Sequence, residues 1–295
     1  MAETVELRGQ KFATYFISPP PSKPLAVFQH GIGSSRHTFT QLIDFLLASD
    51  LQPGILSFDA RSHGETTPID PSEPLDLYAE TLEEDLEAIV KYYLDKYSIK
   101  APLLIIGHSM GGNIASQLCK ANRLPNVRGL VVLDAVEGYA VQSLSSMPSL
   151  VKTWPSSFAS LDEAAEWGVR SRQLRSIEAA RTSVPGMLKN VDGRFVWVLD
   201  LLSTKPFWDS WFKGLDQAFL GAGASRLLIL AGTGRLDKDL LLGQMQGKYQ
   251  LVVFNDCGHF LHEDRPNKVG LTIVDFWDRN AKPPVIPKFG KFRDD

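Results

Sequence analysis

The feature that most constrains this chain is the pentapeptide GHSMG at residues 107–111. Four apolar residues, LLII, come directly before it and predict a buried strand, and the glycines after the serine force a sharp turn into a helix. A serine between a buried strand and a helix projects its hydroxyl from a strained turn, which is where a nucleophile is needed. The next amide, that of Met110, lies at the helix N-terminus and can donate to an oxyanion. We therefore predict that Ser109 is a nucleophile and that the Met110 N–H is part of an oxyanion hole.

Short apolar runs alternate with helix-length amphipathic stretches along the chain. Most runs are continuously apolar, as expected when helices cover both faces of a parallel sheet. The runs predicted as strands are LAVFQH (25–30), GILSFD (54–59), LLIIGH (103–108), GLVVLD (129–134), RLLILAG (226–232) and YQLVVFN (249–255). The stretch from Leu77 to Tyr97 has apolar residues at three- and four-residue spacing and predicts a crossover helix. The N-terminal stretch VELRGQKFATYFI predicts an antiparallel hairpin at the sheet edge. The pattern indicates an α/β fold with a mostly parallel sheet.

About ninety residues separate the strand that ends at Asp134 from the strand that begins near Arg226. This interval predicts helices over residues 160–174, 176–184 and 205–220, and Ser160 and Ser176 start the first two in the manner of N-caps. Five of the six tryptophans fall within it: Trp154, Trp167, Trp197, Trp208 and Trp211. Because a sheet crossover needs neither this length nor this aromatic surface, we interpret residues 136–224 as a helical cap inserted into one domain that spans residues 1–295.

Composition narrows the possible partners and compartments. The chain has 295 residues, of which 44% are hydrophobic, and its net charge is −3, so electrostatics gives no support to a nucleic-acid partner. No stretch approaches a membrane span or a signal-peptide core, and the two cysteines, Cys119 and Cys257, fit a reducing compartment. We expect a soluble protein of the cytoplasm or the nucleus, with a loosely held Pro- and Lys-rich tail over residues 280–295.

A serine nucleophile needs a second oxyanion donor and a base. The segment His30-Gly31-Ile32-Gly33 follows the first central strand, where the second donor is expected, and we assign that role to the Ile32 amide. Of the six histidines, His259 follows the last predicted strand, which is where the triad order Ser, Asp, His places the base. His262 is the alternative base. His30, His63 and His108 are expected to pack or to bond loops at the same end of the sheet.

Two aspartates compete for the role of the triad acid. Asp237 follows the strand RLLILAG, near the usual place of the acid. Asp134 ends the strand GLVVLD, 25 residues after Ser109. Neighbouring strands lie about 4.8 Å apart, so a carboxylate at that tip can also reach a histidine beside Ser109. The residues alone leave Asp134 and Asp237 nearly equivalent.

Several segments together resemble the protein phosphatase methylesterase family. They are ARSHGET, IGHSMGG, LDAVEGYA, SRQLRSIEAARTSV, FWDSWFKGL, LAGTGRLDKDLLLGQMQGKYQ and CGHFLHED, and the similarity runs from about residue 25 to about residue 278, through the cap. The resemblance implies an α/β-hydrolase fold and the triad Ser109, Asp134 and His259, with the acid on the DAVEG motif. It also implies a serine carboxylesterase that removes the methyl ester from the C-terminal leucine of the type 2A protein phosphatase catalytic subunit.

We expect this reaction to need neither a metal nor an organic cofactor, since no residues have ligand spacing. The cap aromatics are expected to shape a slot for the phosphatase tail. Two other functions stay open at this point: a small-molecule carboxylesterase of the same fold, and a non-catalytic scaffold that binds the phosphatase.

Overall fold

The computed structural model describes residues 2–232 and 236–280, and the predicted C-terminal tail lies almost entirely outside them. The strands of this part of the chain are β1 Ala2–Leu7, β2 Gln10–Ile17, β3 Leu25–Gln29, β4 Gly54–Phe58, β5 Thr67–Pro68, β6 Leu103–His108, β7 Val127–Leu133, β8 Ser157–Phe158, β9 Leu188–Val191, β10 Arg194–Trp197, β11 Ser225–Ala231 and β12 Gln250–Phe254. All six predicted central strands are confirmed, with ends within two residues of the prediction.

The α-helices of the described residues are α1 Thr40–Ala48, α2 Ala79–Lys96, α3 Met110–Ala121, α4 Glu137–Val151, α5 Leu161–Arg170, α6 Ile177–Ser183, α7 Trp208–Phe212, α8 Leu215–Gly221, α9 Lys238–Met245, α10 Leu261–Asp264 and α11 Pro266–Asn280. Short 3₁₀ turns occupy Arg36–Phe39, Val184–Met187 and Lys205–Phe207. Within these residues no helix is both long and apolar enough to cross a bilayer.

The main sheet has the order β1-β2-β4-β3-β6-β7-β11-β12, and β5 pairs with β2. Strands β1 and β2 form the predicted antiparallel edge hairpin, and β2 runs antiparallel to β4. From β4 to β12 every neighbouring pair is parallel. The prediction of a mostly parallel sheet is confirmed, and all of its loops that follow a parallel strand open at one edge.

Helices cover both faces of this sheet because each central strand is apolar on both sides. In β3, Leu25 and Val27 face one core while Ala26 and Phe28 face the other. Helices α2, α3 and α8 contribute to the first core, and α1 and α11 contribute to the second. Alternate residues of a strand point to opposite faces, so two opposed cores need a run without polar interruptions.

The cap segment, residues 136–224, is less helical than its sequence predicts. Between α4 and α7, strands β8, β10 and β9 form a separate three-stranded antiparallel sheet. These strands are two to four residues long, too short for their pattern to stand out from the surrounding loops. The predicted caps do form, since the side chains of Ser160 and Ser176 accept hydrogen bonds from the amides of Glu163 and Ala179.

The two ends of the cap segment pack against the core of the main sheet, and its middle has a separate core. That cap core consists of Phe158, Ala164, Ala165, Leu174, Ala180, Val184 and Leu188. By contrast, Trp208 and Trp211 belong to the main core, and the Trp211 ring N–H donates to the Leu77 carbonyl at 2.6 Å. The tryptophans predicted to belong to one cap are therefore divided between two cores.

Candidate active site

Ser109 sits at a tight turn between β6 and α3. Its backbone angles are φ 53° and ψ −122°, a conformation that non-glycine residues rarely adopt. The turn is possible because residues 107 and 111 have no Cβ. A Cβ at Gly107 would lie 2.2 Å from the Gly111 carbonyl oxygen, and a Cβ at Gly111 would lie 2.2 Å from the Gln29 carbonyl oxygen. Both positions must be glycine for strand and helix to come this close. The strained turn that the sequence predicts is present.

The Met110 amide is in the first turn of α3, where backbone N–H groups have no acceptor within the helix. The Ile32 amide lies in the loop after β3, and it donates no hydrogen bond to any described part of the chain. That loop is held on both sides: the Gly31 carbonyl accepts from the Ser34 amide at 3.3 Å, and the Gly33 amide donates to His63 at 3.0 Å. The two predicted oxyanion donors are thus on anchored segments.

Asp134 and His259 are brought together, although 125 residues separate them. The distance from His259 Nδ1 to Asp134 Oδ2 is 2.7 Å, and the other carboxylate oxygen accepts from the Ala231 amide at 2.8 Å. Asp134 has a φ of 49° at the end of β7, which turns its side chain across the sheet edge. Its side chain is 12% exposed, against 48% for His259. The carboxylate is fixed, and it orients an imidazole that solvent and substrate can reach.

Ser109 is tied to the same strand end. Its amide donates to the Leu133 carbonyl at 3.0 Å, so the serine is bonded to the residue next to Asp134. The described residues include no hydrogen bond between the Ser109 hydroxyl and the His259 ring. Catalytic hydrogen bonds are often long in unliganded enzymes and tighten when substrate binds. A reaction at Ser109 therefore requires the His259 Nε2 to close onto the hydroxyl when an ester is bound.

Asp237, the other predicted acid, has different partners. Its carboxylate accepts from the Gly138 amide at 2.6 Å, at the start of α4. It also lies against Asp216, and burial, with this neighbouring carboxyl, raises the pKa of Asp216 to about 7. Asp237 therefore binds the N-terminus of a cap helix and not the His259 ring. Of the two aspartates that the residues alone left open, Asp134 is the one that contacts His259, and its role as the triad acid stays a prediction.

The alternative base, His262, is fully buried and bonded elsewhere. Its Nε2 lies 2.8 Å from the Thr38 hydroxyl, and burial lowers its pKa to about 3. His30 and His63 are likewise buried, with pKa values lowered by burial to about 4 and about 3. His30 accepts from the Ala60 amide at 2.9 Å, so both residues bond loops at this edge of the sheet, as predicted.

Four contacts at this site were not predicted from the sequence. The Ala231 amide donates to Asp134, and Asp264 accepts from both the Gly258 amide at 2.7 Å and the Arg175 amide at 2.8 Å. His108 Nε2 lies 3.0 Å from the carbonyl oxygen of His259. Three of the four contacts join residues that are far apart in the chain, and three of the donors are backbone N–H groups, which carry no signal of residue type. For His108 the sequence predicted only that the side chain packs or bonds a loop at this end of the sheet, without naming the partner.

A cavity of about 390 Å³ opens beside the oxyanion loop. Gly33 and His63 line it on the body side, and Trp154, Trp197 and Leu201 line it on the cap side. Ser109 and His259 do not line this cavity, so it lies next to the reacting atoms and does not contain them. Its first lining residue in the oxyanion loop is Gly33, which directly follows Ile32. Within the described ranges, no group of three or more His, Cys, Asp or Glu side chains is arranged to hold a metal ion.

The serine at the strained turn, the Asp–His pair and the sheet order together define a serine hydrolase of the α/β-hydrolase class. The model of the alpha/beta hydrolase family matches residues 26–269. Among solved structures, an E-2-(acetamidomethylene)succinate hydrolase superposes with a TM-score of 0.74 over 94% of this chain and 99% of its own, at 18% identity. A Mycobacterium tuberculosis esterase gives 0.66 over 94% and 91%, at 20% identity. At these identities the likeness shows the fold alone.

Sequence relatives give the particular family. The protein phosphatase methylesterase 1 of Schizosaccharomyces pombe is 42% identical over 278 residues, which cover 94% of this chain and 81% of the relative. That of Yarrowia lipolytica is 40% identical, with 96% of this chain and 72% of the relative covered. The chain belongs to the protein phosphatase methylesterase family and is a carboxylic ester hydrolase. The resemblance inferred from the motifs is confirmed.

Proposed function

We propose that this chain hydrolyses the methyl ester on the C-terminal leucine of the type 2A protein phosphatase catalytic subunit and releases methanol. One observation carries the proposal: a chain 42% identical to a named protein phosphatase methylesterase has its Asp134–His259 pair, 2.7 Å apart, at the same sheet edge as the strained Ser109. The relatives' names supply a protein phosphatase as the substrate, and the motif resemblance supplies the subunit and its tail.

In the first half of the reaction, His259 Nε2 takes the Ser109 hydroxyl proton as Oγ attacks the ester carbonyl carbon. The carbonyl oxygen becomes an oxyanion and accepts from the amides of Met110 and Ile32. Each such donor is typically worth about 2.7–4 kcal/mol of transition-state stabilisation. Asp134 holds the imidazole in the tautomer with a proton on Nδ1 and stabilises the imidazolium.

The carbon–methoxy bond then breaks, and His259 gives its proton to the methoxy oxygen, so that methanol leaves an acyl-enzyme on Ser109. In the second half, the same imidazole takes a proton from water, whose oxygen attacks the acyl carbon. The Ser109 Oγ leaves with that proton, and the leucine carboxylate is free. These steps use three side chains, those of Ser109, His259 and Asp134, together with the two amides and water.

The cavity beside the oxyanion loop supports a peptide substrate. A chain whose ester carbonyl binds at Ile32 meets Gly33 next, and then the apolar wall of Trp154, Trp197 and Leu201. Volumes of about 300–1,000 Å³ are typical of pockets for small ligands, so about 390 Å³ accommodates one or two apolar side chains of a tail. The rest of a protein substrate would then contact the outer surface of the cap segment.

Methanol release from a purified, carboxymethylated phosphatase catalytic subunit tests the proposal. The wild-type chain should release methanol. Ser109→Ala should lower the rate by at least about 10⁴-fold, as loss of a triad serine typically does. Ser72→Ala, in an exposed loop where the serine bonds only Asp70, is the matched control and should retain full activity.

Two results would contradict the proposal in different ways. Hydrolysis of short-chain aryl esters without any demethylation of the phosphatase would indicate a small-molecule carboxylesterase. Failure of a fluorophosphonate probe to label Ser109, together with binding of the phosphatase, would indicate a non-catalytic scaffold.

A further inference from the structure

His108 contacts all three working parts of the site, although the reaction scheme gives it no role. It directly precedes the nucleophile in the chain. A Cβ placed on Gly31, in the oxyanion loop, would lie 3.2 Å from its Nδ1 and 3.1 Å from the Ser109 Cβ. Its Nε2 lies 3.0 Å from the backbone carbonyl oxygen of His259, and the two imidazole rings are 4.7 Å apart. One side chain thus touches the loops that carry the nucleophile, an oxyanion donor and the base.

The direction of the His108 hydrogen bond follows from its acceptor. A carbonyl oxygen only accepts, so His108 Nε2 must carry the hydrogen, and Nδ1 must then lack one. His108 is 1% exposed, and burial, reinforced by His262, His259 and His30, holds its pKa well below 6.5. His259, His262, the uncharged Phe260 and Gly31 are in contact with its ring, and His30 acts on its pKa from farther away. A neutral ring with a proton on Nε2 is the state that makes this contact.

The base needs this support because little else holds it. His259 lies between β12 and α10 in a segment outside regular structure, and its side chain is 48% exposed. Asp134 fixes one ring nitrogen, and the bond from the Gly258 amide to Asp264 fixes the preceding residue. The His108 bond is the contact at the His259 backbone itself. With the ring held at Nδ1 and the backbone held at its carbonyl, these two bonds limit how far Nε2 can move relative to Ser109.

We propose that His108 is a positioning residue of the catalytic base: its Nε2–H bond to the His259 carbonyl keeps the imidazole where Nε2 can close onto the Ser109 hydroxyl when an ester binds. The proposal rests on the assignment of Ser109 and His259 to ester hydrolysis. It does not depend on which ester is the natural substrate.

Three substitutions separate this hydrogen bond from simple packing. His108→Gln replaces the ring but places an amide N–H near the position of Nε2. His108→Asn is its matched control, since its amide reaches only the position of Nδ1. His108→Phe keeps a ring of similar size and loses the donor. We expect kcat to fall about 10²-fold in the Phe and Asn variants, as a misplacement of about 1 Å can cause. The Gln variant should stay within about tenfold of wild type, and KM should change little in all three.

The readouts are kcat and KM on an aryl ester and the rate at which a fluorophosphonate labels Ser109. NMR of the ¹⁵N-histidine-labelled protein detects the His259 ring proton that is hydrogen-bonded to Asp134. The signal of this proton should broaden in the Phe and Asn variants only. A Phe variant as active as wild type, or Gln and Asn variants of equal activity, would overturn the proposal. If the Phe variant fails to give a cooperative thermal transition, the Gln and Asn pair decides. If wild-type Ser109 is not labelled at all, the triad assignment is wrong, a result distinct from a failure of the His108 proposal.

Discussion

At the carboxyl edge of the main sheet, backbone hydrogen bonds hold the catalytic residues in place. In the cap segment, the tryptophans beside the cavity are held by contacts between their rings. The Ser109 amide bonds the Leu133 carbonyl at 3.0 Å, and the Asp134 amide bonds the Ile229 carbonyl at 2.8 Å. In the cap, Trp154, Trp167 and Trp197 meet one another with ring centroids 5.3–5.5 Å apart. Directional bonds fix the reacting atoms closely, whereas apolar contacts have no preferred direction, and we therefore expect the wall of the cavity to adjust more readily to a substrate.

The largest expected effect is on the acid. Asp134→Asn keeps the shape of the side chain but favours the wrong His259 tautomer, so kcat should fall about 10⁴-fold. Asp237→Asn, the matched control, still accepts from the Gly138 amide and should change kcat by no more than about twofold. Steady-state kinetics on one ester measures both. Comparable losses of kcat in the two variants would contradict the assignment of Asp134, rather than Asp237, as the catalytic acid.

The next effect separates the two cores. Trp211 is fully buried in the main core, so Trp211→Ala should lower the free energy of unfolding by about 3–5 kcal/mol. Trp167 is half-buried beside Trp154 and Trp197, two residues of the cavity wall. Trp167→Ala should therefore lower stability less and raise KM about tenfold.

Urea denaturation and steady-state kinetics of both tryptophan variants measure these changes. Equal losses of stability, with KM unchanged in Trp167→Ala, would mean that the cap aromatics stabilise the fold and do not contribute to substrate binding. That outcome would remove the distinction between a rigid site and an adjustable wall.

The last effect concerns a carboxyl at the contact between the two regions, and it appears only as the pH changes. Glu263 is buried beside the Thr38 hydroxyl, and burial raises its pKa to about 8 from 4.5. The folded chain therefore keeps a proton that the unfolded chain releases above about pH 4.5. Its contribution to stability is full below that pH, falls as pH rises and is lost above about pH 8.

Glu263→Gln removes this titrating group and should flatten the pH dependence of stability across the same window. Urea midpoints of the wild type and the variant, taken at several pH values between about 5 and about 9, measure the difference. Parallel curves for the two proteins would show that Glu263 is ionised in the folded chain.

Much of the main sheet could be predicted from sequence because its signals are local. The continuous apolar runs at 25–30 and 103–108 became β3 and β6, and GHSMG became the turn that places Ser109. The cap segment was predicted less well. Its strands β9 and β10 have four residues each and their stability comes from pairing with each other and with β8, which no local pattern shows.

By itself, the sequence determined the class of fold, the strained serine and the expected base, since each follows from residue types at short spacing. The tertiary structure showed that Asp134, and not Asp237, contacts His259, and it revealed the bond from His108 to the His259 backbone. Both results depend on distances between residues more than a hundred positions apart, and such distances are set by strand order and packing. A short-range pattern specifies which groups are available at the sheet edge, but only the closed sheet determines which of them meet.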